Sequence, residues 1–441
     1  MRAYAATAAC GDARSWHDRD PGIRRGYDQG WKAILLTATI VAPSLHRRDR
    51  RSARARARNR LRSLAASRLS DCLFNLEGTL PAVACSLFAA RSAERCGDLS
   101  LAAQPYALIS YVAGLVRLDR IARFLGDRAM ADCLRKNDFA GVHRALFAKV
   151  FLAVSLARWA EVPPLFDEAL ALNARYRSER HHGLMLTAVG FMHQFRGDFD
   201  AMRRTYAEVE ALGIAASVDQ FIEWAELVYG RLSLYAGDPV AAETHFGKSK
   251  IILGRISEVQ AVFIADTMGA LAILRQGRVD AIEPRAAELL ARVRATPLQF
   301  GSTDAYGGLA EIMNALLARF GRGAGGVRWL HARQAQAHLR RCARVFPVAR
   351  PLAALHEGQL ACLAGKRRGA ERIWRRGLAI ADKLEMKYDA ARLHAALAMI
   401  PDLAGSARAD HAAHATALAS ACGVDCVPPL PISYFTPGIE A

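Results

Sequence analysis

The sequence is poor in aromatics and has no long hydrophobic run. Aromatic residues make up 8% of 441 positions, and no stretch of β-branched residues alternates with polar ones as a half-buried strand requires. A β-rich fold is excluded, which leaves helix as the default for a chain dominated by alanine, leucine and arginine. The most apolar run near the N-terminus, Ala33 to Pro43, has about 11 residues, short of the roughly 20 that span a bilayer. Polar and charged residues fill most of the chain before it, unlike a secretory signal, so no membrane span is expected. Nine cysteines at irregular spacing make no disulfide framework and fit a reducing cytoplasm.

Catalytic and cofactor patterns are also missing. The nearest approach to a P-loop is Gly247-Lys248-Ser249, but Ala242 stands where the first glycine belongs, and the segment reads as helix interior. Glu223, Glu226 and Asp304 show no paired spacing for acid/base work, and no hydrolase elbow stands out. His411, His414, Cys422 and Cys426 are residue types that ligate zinc. The cysteine spacing is wider than the usual C-x-x-C knuckle, however, and an alanine-rich helix needs no metal to fold, so the four read as incidental. Adjacent histidines point about 100° apart on a helix, so His181 and His182 cannot chelate together and are expected on a solvated face. The expectation is a chain that is not an enzyme and holds no cofactor and no metal.

Charge is present, and it is concentrated. Of a net +18, half lies between His46 and Arg68, where Arg47, Arg48, Arg50, Arg51, Arg54, Arg56, Arg58, Arg60, Arg62 and Arg68 face Asp49 alone. The first eight of these arginines are candidate anion-binding residues, and phosphate contacts of that kind would make affinity fall steeply with salt. No aromatics interleave to stack bases, so a solvated linker or helix face is the main reading and nucleic-acid binding the alternative.

The strongest signal is an internal repeat. Gly197, Gly237 and Gly277 are 40 residues apart, Gly365 follows after 88, and the glycines at 321, 323, 325 and 326 fill the gap. A glycine past the last periodic residue is where a helix ends in a left-handed turn. Nine residues after the four aligned glycines stand Tyr206, Phe246, Ala286 and Trp374, where a second helix crosses the first, and the aromatic is expected to plug the groove to the next unit. Gly358, upstream in the last hairpin, would let a neighbour approach closely. Stepping back by the same period reaches Arg158-Trp159, Leu118-Asp119 and Gly78-Thr79. Phe191, Phe195, Trp224 and Tyr229 read as core between helices. Units that cannot bury their own apolar face stack into a solenoid stabilised by unit and neighbour terms.

Glycine, apolar residue and aromatic at this spacing resemble the second half of a tetratricopeptide unit with longer helices. A further likeness lies in ARVFPVARP from Ala343, LAGKRRGAERIWRRGL and LEMKYDAA, with TLPAVACSLFAARSAERCGDLSLA from Thr79 as an opening. These segments resemble a bacterial helical-repeat region at the C-terminus of signalling proteins that join a kinase or nucleotidyl cyclase domain to an AAA-type ATPase, across about residues 60 to 400. Glu385 and Lys387 stand where that family tends to have glycine and proline, and no catalytic or ATPase module precedes the repeats. The resemblance implies a region that senses or binds rather than catalyses.

The resulting expectation is an all-α protein: a right-handed α-solenoid of about eight tetratricopeptide-like hairpins with a period near 40 residues. Residues 1–57 would be a disordered or poorly specified arginine-rich lead-in, 58–400 the repeat domain, and 401–441 a capping helix with an extended proline-containing tail. The expected function is a cytoplasmic, non-catalytic interaction or sensing scaffold in bacterial signalling. It would hold a protein or peptide ligand in the concave face and have a possible ATPase or cyclase signalling partner. The alternatives are a nucleic-acid-associated regulator and an enzyme with its site in the groove.

Overall fold

The computed structural model describes residues 53–76, 79–256, 258–401, 405–425 and 427–428. Among them are eighteen α-helices and no strand. In chain order these are α1 (Ala53–Leu76), α2 (Thr79–Cys96), α3 (Ala103–Leu115), α4 (Asp119–Arg135), α5 (Phe139–Ser155) and α6 (Val162–Tyr176). Then come α7 (Glu179–Arg196), α8 (Phe199–Ala216), α9 (Asp219–Tyr235), α10 (Pro239–Leu253), α11 (Val259–Arg275) and α12 (Ala286–Ala295). The last six are α13 (Thr303–Phe320), α14 (Val327–Val345), α15 (Arg350–Leu363), α16 (Arg367–Lys383), α17 (Lys387–Ala398) and α18 (Gly405–Ala421). No described helix is long and apolar enough to cross a membrane, and no disulfide joins two of the described cysteines.

The turns follow a half-period of 20. Positive φ falls at Gly97, Arg117, Asn137, Ala157, Arg177, Gly197, Ser217 and Gly237, and again at Gly277, Gly365 and Glu385. At most of them the amide one residue on bonds back to the sixth residue's carbonyl: Leu118 to Ala113, Arg158 to Ala153, Asp198 to His193 and Lys366 to Ala361. This is the Schellman closure, which satisfies the carbonyls a helix end leaves open. The expected glycines thus take φ of 76° at Gly197, 79° at Gly237, 81° at Gly277 and 75° at Gly365. The earlier units turn at Arg117 and Ala157, one residue before the positions reached by stepping back, and Gly78 lies outside the described residues. Aspartate after the turn starts the next helix: the carboxylates of Asp138 and Asp238 accept from the amides of Gly141 and Ala241 at 3.0 and 2.9 Å.

Within a hairpin, the aromatic seats on a glycine of the partner helix. A Cβ on Gly358 would lie 2.1 Å from Trp374 Nε1, one on Gly190 2.4 Å from Tyr206, and one on Gly230 2.7 Å from Phe246. Each pair is sixteen residues apart; at the same two places in the intervening unit stand Ala270 and Ala286, so small residue and aromatic vary together. Trp374, 1% exposed, donates its indole N–H to the Leu355 carbonyl at 2.9 Å. A close contact of each aromatic is thus inside its own hairpin, and Phe246 also lies against Gly269 of α11 in the next unit.

Odd-numbered helices pack on one another as well as on their hairpin partners. This holds for α3, α5 and α7, and again for α9, α11, α13, α15 and α17. Phe221 of α9 against Gly183 of α7 joins the two series. Contacts also leap far along the chain, which a strictly nearest-neighbour array would not make. The Trp159 indole donates to the Leu384 carbonyl at 2.7 Å, Lys387 pairs with Asp198 at 3.1 Å, and α1 reaches α11.

Two expected boundaries shift. Helix is already present at Ala53, ahead of residue 58, because an alternation of alanine and arginine favours helix throughout. Its buried face is Asn59, Ser63, Ala66, Ser67 and Ser70, while Leu61 is 68% exposed. Ser63 and Ser70 donate to carbonyls of α2, at Ala89 and Ala82, so close packing of small hydroxyl residues displaces the leucines outward. At the other end Cys422 and Val424 are buried in a cluster with Phe199, Tyr235 and Tyr388, so the chain does not leave the fold at Cys422.

Candidate functional site

A cavity of about 640 Å³ opens between α1, α3, α5, α7, α9 and α11. Its lining positions repeat with the period of the turns. Gln104, Arg144, Leu184, Trp224 and Ile264 are spaced by 40, as are Arg180, Gln220 and Gln260; Phe147, Thr187 and Leu227; and Phe151, Phe191 and Arg231. Equivalent positions of parallel helices lie at similar depth, so composition by register is composition by depth. The first turns supply Arg180, Gln220 and Gln260. Deeper turns supply Phe147, Leu227, Phe151 and Phe191. The mouth is polar and the floor aromatic.

The floor is a cluster of rings. Phe300, fully buried, meets Phe151 at a centroid distance of 4.4 Å and Phe191 at 5.2 Å, both edge-on. Beside it Arg231, 2% exposed, donates to the Gly301 carbonyl at 3.1 Å and to Gln194 Oε1 at 3.3 Å. Its charge faces Asp304 at 3.9 Å, whose carboxylate also accepts from Gln194 Nε2 at 2.6 Å and from the Tyr235 hydroxyl. This arginine is therefore part of the framework.

At the mouth the carboxylates of Glu258 and Asp71 accept from neutral donors. Glu258 accepts from Gln220 at 3.0 Å and from the Trp224 indole at 3.3 Å. Asp71 accepts from the Gln104 amide, whose oxygen accepts in turn from Arg144. Arg68 and Arg180 make no hydrogen bond or ion pair with described residues. His143 is 3% exposed, has no partner at either ring nitrogen, and stacks on His181 at 5.1 Å. Burial, with His181 and His182 nearby, pushes its pKa down to about 4, so it is a neutral imidazole at pH 7. His181 is lowered as well, first by burial and then by Arg144, and its Nδ1 lies 2.7 Å from Ser178 Oγ.

The expected site residues fare unevenly. Arg47, Arg48, Arg50 and Arg51 lie outside the described residues. Arg54, Arg56, Arg58 and Arg60 are exposed on α1 and do not line the cavity, whereas Arg68 of the same block does. Gly197, Gly237, Gly277, Gly365, Tyr206, Phe246 and Trp374 hold structural places, and Tyr206 also reaches the cavity. His181 lines the cavity instead of solvating a surface, because the turn at Arg177 brings the start of α7 to the mouth. Phe191 and Trp224 are wall, not only core. Lys248 and Ser249 are helical, with Ser249 donating to buried Glu223 at 2.7 Å, so nothing there cradles phosphate. Glu223 is pushed up to about 8 by burial, partly offset by that hydrogen bond.

His411 and His414 do share a face, and they meet His394, with 2.8 Å between the Nδ1 atoms of His394 and His411. Cys422 packs instead against Gly197, and Cys426 lies outside the described residues. Among the described residues no group of three or more metal-ligating types is placed to hold an ion. The cavity residues escape motif reading because each helix gives only one to five of them. The period of 40 would have found them once one inward position was known.

No family model matches the chain and no curated protein matches it, so the functional reading rests on geometry.

Proposed function

We propose that this chain is a non-catalytic sensing scaffold: a right-handed solenoid of about eight tetratricopeptide-like hairpins that binds a ligand in its concave side and relays occupancy to a protein partner. The observation that carries the reading is the cavity. Its 640 Å³ falls within the roughly 300–1,000 Å³ of small-ligand sites, and convergent polar groups over an apolar floor are what such sites use for orientation and affinity. Binding is favoured over turnover because the carboxylates of Glu258 and Asp71 accept from neutral donors and His143 is a neutral base well below neutrality. The resemblance of Ala343 to Tyr388 adds the expectation of an ATPase or cyclase partner in bacterial signalling.

Thermal shift against a metabolite panel tests this reading, with Leu184→Trp as a cavity-filling control. Ligands should raise the Tm of the native chain and leave the filled variant unmoved. Equal shifts in both would sink the cavity as the site. The exposed Arg54, Arg56, Arg58 and Arg60 on one helix support nucleic-acid association as a second reading, and it predicts DNA binding that weakens steeply with salt.

A further inference from the structure

We infer that the cavity takes a small amphipathic organic anion, its acidic head among Arg68, Arg144 and Arg180 and its apolar body on the Phe151–Phe191 floor. The inference rests on the reading of the cavity as the ligand site and adds the chemical class. It starts from an imbalance in what the lining leaves unmade. The acids Asp71 and Glu258 already accept from Gln104, Gln220 and Trp224. The cations have no such company: among the described residues Arg68 and Arg180 make no hydrogen bond or ion pair, and Arg144 meets only the neutral oxygen of Gln104. The three line the same cavity from α1, α5 and α7.

His143 is the second, independent observation. It is 3% exposed, lines the cavity beside Arg144, and both its nitrogens are unpaired. A buried polar group without a partner is costly, and native structures keep one where a ligand or function requires it. A neutral imidazole offers one N–H, which a carboxylate, sulfonate or phosphate oxygen accepts with the added strength of a charged acceptor.

The floor decides against a bare inorganic anion. A phosphate would satisfy the arginines but leave the aromatic base of a 640 Å³ space unfilled, whereas an apolar body removes that surface from water. A space of 640 Å³ lined from six helices is of the size that encloses a small molecule, not an extended peptide.

The test uses a pair of fluorescent probes with the same aromatic body, anilinonaphthalene sulfonate and the uncharged phenylnaphthylamine, titrated into the full chain. The sulfonate should bind at least ~10-fold more tightly, and Arg180→Gln or Arg144→Gln should each weaken it by ~10-fold, the scale of a charge-assisted hydrogen bond, without changing the neutral probe. Arg180 is exposed, so its variant folds even if Arg144→Gln does not. Equal affinities that ignore both substitutions would overturn the anionic class while leaving the cavity reading intact. Probes that still bind a folded Leu184→Trp chain would lie elsewhere, and both readings would fail. Displacement of the sulfonate by decanoate supports a small ligand; displacement by a glutamate-rich peptide alone would replace it with a peptide.

Discussion

The inward helices are built alike along the chain, yet they leave a cavity between α5 and α11 and close it between α11 and α17. In the closed region Glu311 accepts from Arg275 through both oxygens, at 2.9 and 3.0 Å, and from Arg392 at 3.1 Å. Burial alone would raise its carboxyl, but the two guanidiniums more than offset this and hold it at about 2. Asn314 donates to the His356 carbonyl at 3.3 Å, and His356 Nδ1 meets Gln359 at 2.8 Å. What remains is about 20 Å³, room for about one water. In the open region the arginines at the mouth lack acidic partners among the described residues, and His143 lacks any hydrogen-bond partner there. One architecture thus supports two uses of inward charge: internal pairing fixes the packing, and unpaired groups keep a place for something else.

Truncation should separate the two regions most sharply. Glu311→Ala leaves two buried cations unpaired and should cost about 3–5 kcal/mol, while Arg180→Gln at the open mouth should stay within about 0.5 kcal/mol. Chemical denaturation of both variants checks this; similar losses would erase the distinction. Trp374→Ala should cost about 3–5 kcal/mol. Gly358→Ala should cost about 1–3 kcal/mol by overpacking, and most of that penalty should vanish in the Trp374→Ala background. A purely additive double-mutant cycle would mean that the glycine is not there for the indole.

The two regions should also respond to acid in different windows. Glu311 titrates at about 2 in the folded chain and near 4.5 when unfolded, so its stabilisation is present above about 4.5 and lost as pH falls toward 2. His143 is lowered to about 4, so the unfolded chain takes up a proton first, and stability declines earlier, from about pH 6.5 down to 4. In Tm measured against pH, Glu311→Gln should flatten the lower window and His143→Gln part of the upper one. The smallest effect belongs to the turns. Arg117 is exposed with φ of 66°, and Arg117→Gly should raise stability by up to about 1 kcal/mol, since glycine adopts that conformation without a Cβ penalty. A loss of stability would show the arginine making a contact that outweighs its strain.

Local rules made much of the fold legible. Gly197, Gly237, Gly277 and Gly365 announce their turns because a helix end needs a left-handed residue. Arg117, Ala157 and Ser217 carry no such mark, yet they turn in the same place because the flanking helices leave no other exit. Trp374 stood out as a packing residue, but its seat on Gly358 shows only when the two helices are superposed. In α1 the apolar period does not mark the core. Leu61, Leu64 and Leu69 are spaced like a core face and are exposed, because the partner helix offers carbonyls that serines reach more closely than leucines could.

The sequence by itself determined that the chain is helical and that its turns recur with a period near 40 residues. Both depend on interactions across a few turns of chain, where propensity and spacing suffice. Only the tertiary structure decided which small residue seats each aromatic, that Trp159 meets Leu384, that Glu311 finds two arginines, and that Arg68, Arg144 and Arg180 find no acid among the described residues. Whether a charge is paired depends on which distant helix faces it, and that is set by how the hairpins curl together, not by the residues on either side.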